Sequence, residues 1–144
     1  MNYECLKLEN QLCFPIYLCS KEIIRHYAPY LKKLDLTYSQ YITMLYLWEH
    51  EQGSVKDIGE ALMLDSSTLS PLLKKLESKG YISRNRVAED ERMVEIKLTK
   101  TGLCLKEKAS FIPSEVGKCI NLSKKDAETL YLLLYKVLYN IEKE

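Results

Sequence analysis

The chain has 144 residues and a mass of 16.8 kDa, of which 47% are hydrophobic and 28% charged. With 5 glycines and 4 prolines, this composition excludes a disordered, collagen-like or disulfide-scaffold chain and predicts a compact helical protein. The formal net charge of +1 excludes a globally basic nucleic-acid binder, so any such function must come from local charge.

Three helices are predicted in the first part of the chain. Apolar residues at intervals of three and four predict a long helix over residues 15–34. Thr37 fits the N-cap of a second helix, which ends before Gly53. Ser54 followed by Asp57 resembles a capping box and predicts a third helix of about two turns.

A fourth helix is predicted in the segment SSTLSPLLKKLESKG. Ser66 or Ser70 could cap this helix, and Pro71 leaves its first residue open. Gly80 can end it, because glycine readily adopts the left-handed conformation.

The apolar period then changes from helical spacing to alternation. Residues 81–87 and 93–99 predict two strands joined by the charged tip AEDER. In the second strand the inward positions are Val94, Ile96 and Leu98. These strands form a hairpin.

Two further helices are predicted after the hairpin. The first is expected to bend or end near Pro113 and Gly117. Ser123 with Asp126 then resembles another capping box and begins a long C-terminal helix. Its apolar stripe consists of Leu130, Leu133, Leu134, Val137, Leu138 and Ile141. Such a stripe requires a partner surface.

The order of these elements is that of a winged helix-turn-helix, so we expect a mainly α-helical fold with a small β-hairpin wing. The charge distribution agrees with this prediction. Residues 65–86 carry five basic and two acidic side chains, a net charge of +3 in a chain whose total is +1. In such modules the second helix of the motif enters the major groove of double-stranded DNA.

The predicted DNA contacts are of three kinds. Hydroxyl side chains are expected to contact base edges or phosphates, and basic side chains are expected to contact phosphates. At the hairpin tip, Asp90 is expected to orient Arg92 toward the minor groove. The set is Ser66, Ser67, Thr68, Ser70, Lys74, Lys75, Arg84, Arg86, Asp90 and Arg92. The same residues also fit helix caps and a solvated face, and helix-turn-helix modules also bind proteins. The residues alone leave both interpretations open.

The string VKDIGEALMLDSSTLSPLLKKLESKGYISRNRVAEDERMVEIKLTKTG resembles the winged helix of the MarR family, and LENQLCFPIY, DLTYSQY and LWEHE are similar to its organic-hydroperoxide-sensing OhrR branch. The resemblance implies a transcriptional regulator, expected to be a repressor, which binds a pseudo-palindromic operator as a homodimer. It implies one domain over residues 1–144, with dimerisation helices at 11–36 and 103–144 and a winged helix-turn-helix at 37–100. It also implies that the fourth helix begins before Pro71.

One cysteine is the candidate sensor. Cys13 lies two residues before Pro15, so a helix beginning at Pro15 places the thiol beside a helix N-terminus, where the dipole favours the thiolate. A thiolate that attacks a peroxide becomes a sulfenic acid, which is reversible. The OhrR resemblance implies that Cys13 is the peroxidatic residue, whereas a buried core side chain is the commoner role of an intracellular cysteine. Relatives carry an aliphatic residue at the position of Pro15, which bears on the geometry of Cys13.

Tyrosines are the candidate support for this thiol. Tyr27 is fourteen residues after Cys13, about 21 Å along a helix, so it can reach only the partner's thiol in a dimer. By resemblance, Tyr27 and Tyr38 donate hydrogen bonds to the reactive sulfur across the dimer, and Tyr17 is near enough in sequence to line the same pocket. Aromatic packing is their alternative role.

The fate of the oxidised sulfur depends on a second thiol. Cys19 is six helical residues from Cys13 and out of disulfide reach, Cys5 lies on the N-terminal tail, and Cys104 lies in a helix expected to be buried. Cys119 lies in the predicted break at residues 113–121. By resemblance it is close to the resolving cysteine that the partner subunit supplies in two-cysteine members, and an incidental thiol is the alternative. A small cellular thiol could instead cap the sulfenic acid.

Three other functions compete with this prediction. One is a MarR-type regulator controlled by a small anionic or phenolic effector in the dimer cleft. A second is a thiol peroxidase that uses Cys13, although the chain offers no second catalytic group and such an enzyme has no use for a basic wing. A winged helix that binds proteins rather than DNA is the third. We expect no enzyme activity.

The sequence also bears on cofactors and compartment. No Cys or His spacing suits zinc, and we expect no cofactor. No apolar run reaches the roughly 18 residues of a membrane span, the N-terminus has no signal-peptide core, and five irregularly spaced cysteines fit a reducing compartment. We therefore expect a cytoplasmic protein without a membrane partner.

Overall fold

In the computed structural model, which describes residues 3–143 apart from the side chain of residue 91, the chain forms seven α-helices and one small sheet. After two 3-10 turns, Glu4–Leu6 and Leu8–Asn10, the elements are α1 Cys13–Lys33, α2 Tyr38–His50, β1 Gln52–Ser54, α3 Val55–Leu62, α4 Ser66–Ser78, β2 Ile82–Val87, β3 Asp90–Leu98, α5 Lys100–Ala109, α6 Ile112–Ile120 and α7 Lys124–Glu142. The mainly helical fold with a hairpin wing is confirmed. The chain divides into two units, Met1–Ile112 and Pro113–Glu144. None of the helices in the described residues is long and apolar enough to cross a membrane.

Side-chain caps begin three of these helices where the sequence predicts them. Thr37 forms a capping box with Gln40 at the start of α2, and Ser54 forms one with Asp57 at the start of α3. Ser123 accepts a hydrogen bond from the amide of Asp126 at the start of α7. Each cap satisfies an amide that the first helical turn leaves without a partner.

The start of α4 differs from the prediction. Its N-cap is Asp65, which accepts a hydrogen bond from the Thr68 amide, whereas Ser66 and Ser70 lie inside the helix. Pro71 lies inside α4, more than one turn from its start, so the helix begins before Pro71 as the family resemblance implies. The end of the helix is as predicted. Gly80 has φ of 75°, its amide donates to Glu77 O, and the Tyr81 amide donates to Leu76 O, which together form a Schellman motif.

The three strands form an antiparallel sheet in the order β1-β3-β2. The sequence does not predict strand β1, because three residues are too few to show an alternating pattern. The predicted inward face of β3 is confirmed at Ile96, which is fully buried. The hairpin turn is shorter than AEDER: β2 pairs Val87 with Asp90 but Arg86 with Val94, so residues 91–93 form a bulge within β3.

The core of the first unit lies between α1 to α5 and the inner face of the sheet. Its fully buried side chains include Leu31, Tyr41, Met44, Leu47, Ile58, Leu69, Leu73, Leu76, Ile82 and Ile96. Trp48 Nε1 donates to the Gly102 carbonyl at 2.9 Å, and Lys106 Nζ donates to the Trp48 carbonyl at 2.7 Å. These two bonds join α5 to α2.

The second unit corrects one prediction. The expected break at residues 113–121 is wrong: most of these residues form α6, with Pro113 in its first turn, where a missing amide costs no hydrogen bond. Cys119 therefore lies in a helix. Helix α7 exposes its whole apolar stripe, with Leu134 at 38% and Leu138 at 40% among its least exposed side chains.

Candidate DNA-binding surface and thiol site

The hydroxyl side chains predicted to read DNA lie together at the N-terminus of α4. Ser66, Ser67 and Thr68 are exposed in its first turn, and Ser70 is half-buried. Ser67 Oγ donates to Asp65 Oδ1 at 2.5 Å, and this bond, with that from the Thr68 amide, holds the pKa of the Asp65 carboxyl below its usual value. The cap therefore orients the side chain of Ser67.

A tight turn sets the angle between α3 and α4. Met63 ends α3 in the left-handed conformation with φ of 53°, and the Leu64 amide donates to the Gly59 carbonyl at 2.9 Å. A Cβ atom on Gly59 would lie 2.9 Å from the Leu64 carbonyl oxygen, so only glycine fits there without a shift. Sequence reasoning missed this residue, although a glycine in a short helix was a usable signal.

The basic side chains of this region have different environments. Lys74, Lys75 and Arg86 are exposed. Arg84 is half-buried, and its Nε lies 2.8 Å from Glu77 Oε2 while its backbone amide donates to Glu77 Oε1. Arg84 therefore ties β2 to α4, and its guanidinium is already engaged in an ion pair.

The wing brings Arg92 close to the start of α4. Arg92 and Ser66 both line a groove of about 560 Å³ between α3, the α3–α4 turn and the wing, together with Lys56 and Met63. The Asp90 carboxylate holds the wing as predicted, but the bond it accepts among the described residues comes from the Arg92 backbone amide, at 3.0 Å, and not from the guanidinium. The Arg92 side chain remains exposed.

Cys13 is the first residue of α1, and it is exposed. The preceding Leu12 makes no side-chain cap, and the Phe14 amide in the first turn donates to the Gln11 carbonyl at 3.3 Å. The helix begins two residues before Pro15, not at it, and Pro15 lies in the first turn, where its missing amide breaks no hydrogen bond. The unusual proline therefore leaves the position of Cys13 at the helix N-terminus intact.

Tyr27 and Tyr38 form an aromatic pair. Their ring centroids are 5.1 Å apart with an interplanar angle of 63°, and Tyr41 lies 5.5 Å from Tyr27. Burial and the neighbouring Tyr38 raise the pKa of Tyr27, and burial followed by Tyr27 and Tyr38 raises the pKa of Tyr41 to about 12. The hydroxyls of Tyr27 and Tyr41 are therefore protonated donors at neutral pH.

The membership of this aromatic group differs from the prediction at two tyrosines. Tyr17 is 61% exposed and takes no part in the ring contacts between described residues. Tyr41 does take part, although it is not among the tyrosines predicted to support the thiol.

All five cysteines are exposed free thiols. Cys104, expected in a buried helix, is exposed on α5, because the buried positions of that helix are Gly102, Leu105 and Ala109. Cys119 is the penultimate residue of α6. Burial therefore does not distinguish Cys13 from the other four, whereas its position as the first residue of α1 does.

Three comparisons relate the chain to known proteins. Residues 25–109 match the family model of the transcriptional regulator SarA/Rot. The chain is 48% identical to the organic hydroperoxide resistance transcriptional regulator of Bacillus subtilis (strain 168), over 99% of this chain and 97% of that protein.

Solved structures of AbfR, a protein of Staphylococcus epidermidis, are similar to the chain. Reduced AbfR bound to DNA has a TM-score of 0.81 and 34% identity, covering 98% of this chain and 99% of the other. AbfR with its disulfide formed has a TM-score of 0.66 at 34% identity, covering 99% and 97%.

Proposed function

The chain belongs to the MarR and SarA family of winged-helix, DNA-binding transcriptional regulators, and from this premise we propose that it is a homodimeric repressor which senses organic hydroperoxide through Cys13. Oxidation of that thiol releases the pseudo-palindromic operator. The position of Cys13, exposed as the first residue of α1, is the observation that carries the proposal.

The chemistry begins with attack of the Cys13 thiolate on the outer peroxide oxygen. The O–O bond breaks, the alkoxide leaves and takes up a proton, and the sulfur becomes a sulfenic acid. The 48% identity to a regulator of organic hydroperoxide resistance supports an organic hydroperoxide as the signal.

A homodimer supplies the thiol with hydrogen-bond donors. Tyr27 is about 21 Å along α1 from the thiol of its own chain, so the Tyr27–Tyr38 pair serves the partner's Cys13. Exposed apolar side chains along α1 and α7, such as Ile24 at 41% and Leu138 at 40%, support burial of these helices between two subunits.

DNA is bound by the first turn of α4 and by the wing. Ser66, Thr68 and Ser70 face the major groove, Ser67 is oriented by the Asp65 cap, and Arg92 enters the minor groove. Phosphate contacts come from Lys74, Lys75 and Arg86. Arg84 contributes through its ion pair with Glu77, which holds the wing strand on α4.

The sulfenic acid is resolved by the partner subunit's Cys119. Sulfur–sulfur bond formation releases water and requires the Cα atoms to come within about 4.4–6.8 Å, which moves the dimer helices and changes the spacing of the two α4 helices. A structure of AbfR in a disulfide form supports this route. If Cys119→Ser still releases DNA without a dimer band on non-reducing gels, a small thiol resolves Cys13 instead.

Operator binding by the reduced and the hydroperoxide-treated protein tests the proposal. We expect wild type to lose operator affinity after one equivalent of cumene hydroperoxide, and Cys13→Ser to keep it. Cys19→Ser, an exposed cysteine on the same helix, is the matched control and should respond like wild type. Release of DNA by treated Cys13→Ser would overturn the sensor assignment, and release of DNA by a small anionic ligand would favour effector control.

A further inference from the structure

Two side chains at the C-terminal end of α4 hold the loop between α1 and α2. Lys79 Nζ donates to the Asp35 carbonyl at 2.5 Å and lies 3.3 Å from Asp35 Oδ2 and from Gln40 Oε1. Tyr81 Oη donates to the Leu34 carbonyl at 3.2 Å. We call Lys79 and Tyr81 together the α4 clasp. It joins segments more than forty residues apart in the chain.

The clasp is built differently from the exposed ion pairs of the surface. The Lys79 side chain is only 23% exposed, and it binds a carboxylate, a backbone carbonyl and an amide oxygen at the same time. Its neighbour Asp35 has φ of 52°, in the left-handed region, so the loop adopts a conformation that needs support from its surroundings. Three partners on one partly desolvated ammonium give the loop a defined position.

The same loop leads directly to the tyrosine pair. Gln40 Oε1, which binds Lys79, also accepts the Thr37 amide at 3.0 Å in the capping box of α2. Tyr38 directly follows Thr37 in the chain, and its ring packs on the ring of Tyr27. Gln40 is only 3% exposed, so a displacement of Tyr38 and the cap of α2 cannot leave the Lys79 bond unchanged.

We propose that Lys79 and Tyr81 are positioning residues that transmit the oxidation state of the thiol site to the recognition helix α4, a role that rests on the proposed redox function. In the reduced dimer the tyrosine pair, the α1–α2 loop and the end of α4 form one connected unit. When oxidation of the partner's Cys13 moves Tyr38, the clasp pulls on the C-terminal end of α4 or opens. In either case α4 changes its orientation relative to its copy across the dimer.

The test measures the ratio of operator affinities between the reduced and the oxidised protein. Lys79→Met combined with Tyr81→Phe removes the clasp donors and keeps similar side-chain volumes. We expect wild type to show a ratio of about 5- to 150-fold, the usual range of allosteric coupling, and the double variant to fall to about twofold or less. Dimedone labelling followed by mass spectrometry should show Cys13 sulfenic acid forming at the wild-type rate.

Control variants separate coupling from stability. Lys106→Met removes a similar lysine–carbonyl bond, to Trp48, that joins α5 to α2 away from the loop, and it should keep the wild-type ratio. Lys79→Arg with Tyr81 intact should restore part of the ratio, because a cationic donor remains. A structural role alone would weaken both forms of the double variant in parallel and leave the ratio unchanged.

If the wild type responds to oxidation and the double variant keeps the wild-type ratio of operator affinities, the proposed coupling role of the clasp is refuted. The assignment of Cys13 as the sensor is then unaffected. A wild type that binds its operator equally before and after oxidation refutes the redox function and the clasp with it. A loss of Cys13 oxidation in the double variant would place these residues at the thiol site and would also overturn the proposed coupling.

Discussion

At the scale of single residues, basic side chains that look alike in the sequence have three different uses. Arg84 pairs with Glu77 and fixes the wing strand on α4, Lys79 holds the α1–α2 loop, and Arg86 is exposed. The sequence charge therefore does not show how much each of these residues contributes to a basic surface. The charges of Arg84 and Lys79 are partly neutralised by their acidic partners, whereas that of Arg86 is not paired among the described residues. Arg92 is exposed and lines the same groove as Ser66.

Arg92→Ala and Lys74→Ala separate groove recognition from phosphate binding. Loss of Arg92 should cost about 1–3 kcal/mol of operator binding and relax sequence preference, because a groove contact is removed. Loss of Lys74 should weaken binding to all sequences alike and reduce the salt slope by about one unit. Fluorescence anisotropy over a salt series, with operator and unrelated DNA, measures both. An unchanged operator affinity in Arg92→Ala would refute the wing assignment.

At the scale of elements, the position of α5 depends on a close backbone approach. A Cβ atom on Gly102 would lie 2.0 Å from the Tyr81 carbonyl oxygen and 3.1 Å from Leu98 Cδ2. The Gly102 carbonyl also accepts the Trp48 indole. Only glycine allows α5 to pack this close to the segment after α4.

Gly102→Ala should therefore destabilise the protein by about 1–3 kcal/mol or more, because the backbone has to move to admit the methyl group. Gly117→Ala is the matched control: it is also a helical glycine, but a Cβ there meets nothing within 4 Å. That change should be neutral or stabilise by about 0.5–1 kcal/mol. Urea unfolding of the reduced protein measures both, and equal effects of the two substitutions would contradict the close approach.

At the scale of the whole molecule, the exposed apolar surface is the dominant feature. Helix α7 exposes leucine, valine and isoleucine side chains along its whole length, more than a soluble monomer usually leaves in contact with water. The homodimer proposed above would cover such a surface, and we expect it to set two α4 helices about one DNA turn apart, or a multiple of it.

Leu134→Glu together with Leu138→Glu should convert the dimer to a monomer, because a carboxylate cannot be buried in an apolar interface without a partner. The operator affinity should fall with it, since each monomer reads only one half-site. Lys136→Glu, a charge change on the same helix between these positions, should leave the dimer intact. Sedimentation velocity measures the mass of each variant, and a double variant that stays dimeric would show that α7 is not the interface.

Much of the fold was predictable from the sequence, because its signals are local. Helical periods, the caps at Thr37, Ser54 and Ser123, the Gly80 stop and the alternation in β3 all act over a few residues. The position of Cys13 beside a helix N-terminus was also predictable from Pro15, although the helix begins two residues earlier and the exposure of the thiol was not predicted. The family resemblance then singled out Tyr27 and Tyr38, and the structure packs these rings together.

The features that only the tertiary structure decided have no local signal. Strand β1 exists because β3 offers it a partner, and Arg84 is engaged because Glu77 lies opposite it once β2 folds back on α4. The bonds from Lys79 to Asp35 and Gln40 join segments about forty residues apart, and nothing in the spacing of these residues indicates them. A sequence pattern records which face of an element is apolar, but the choice among polar partners is made by the packing that brings distant elements together.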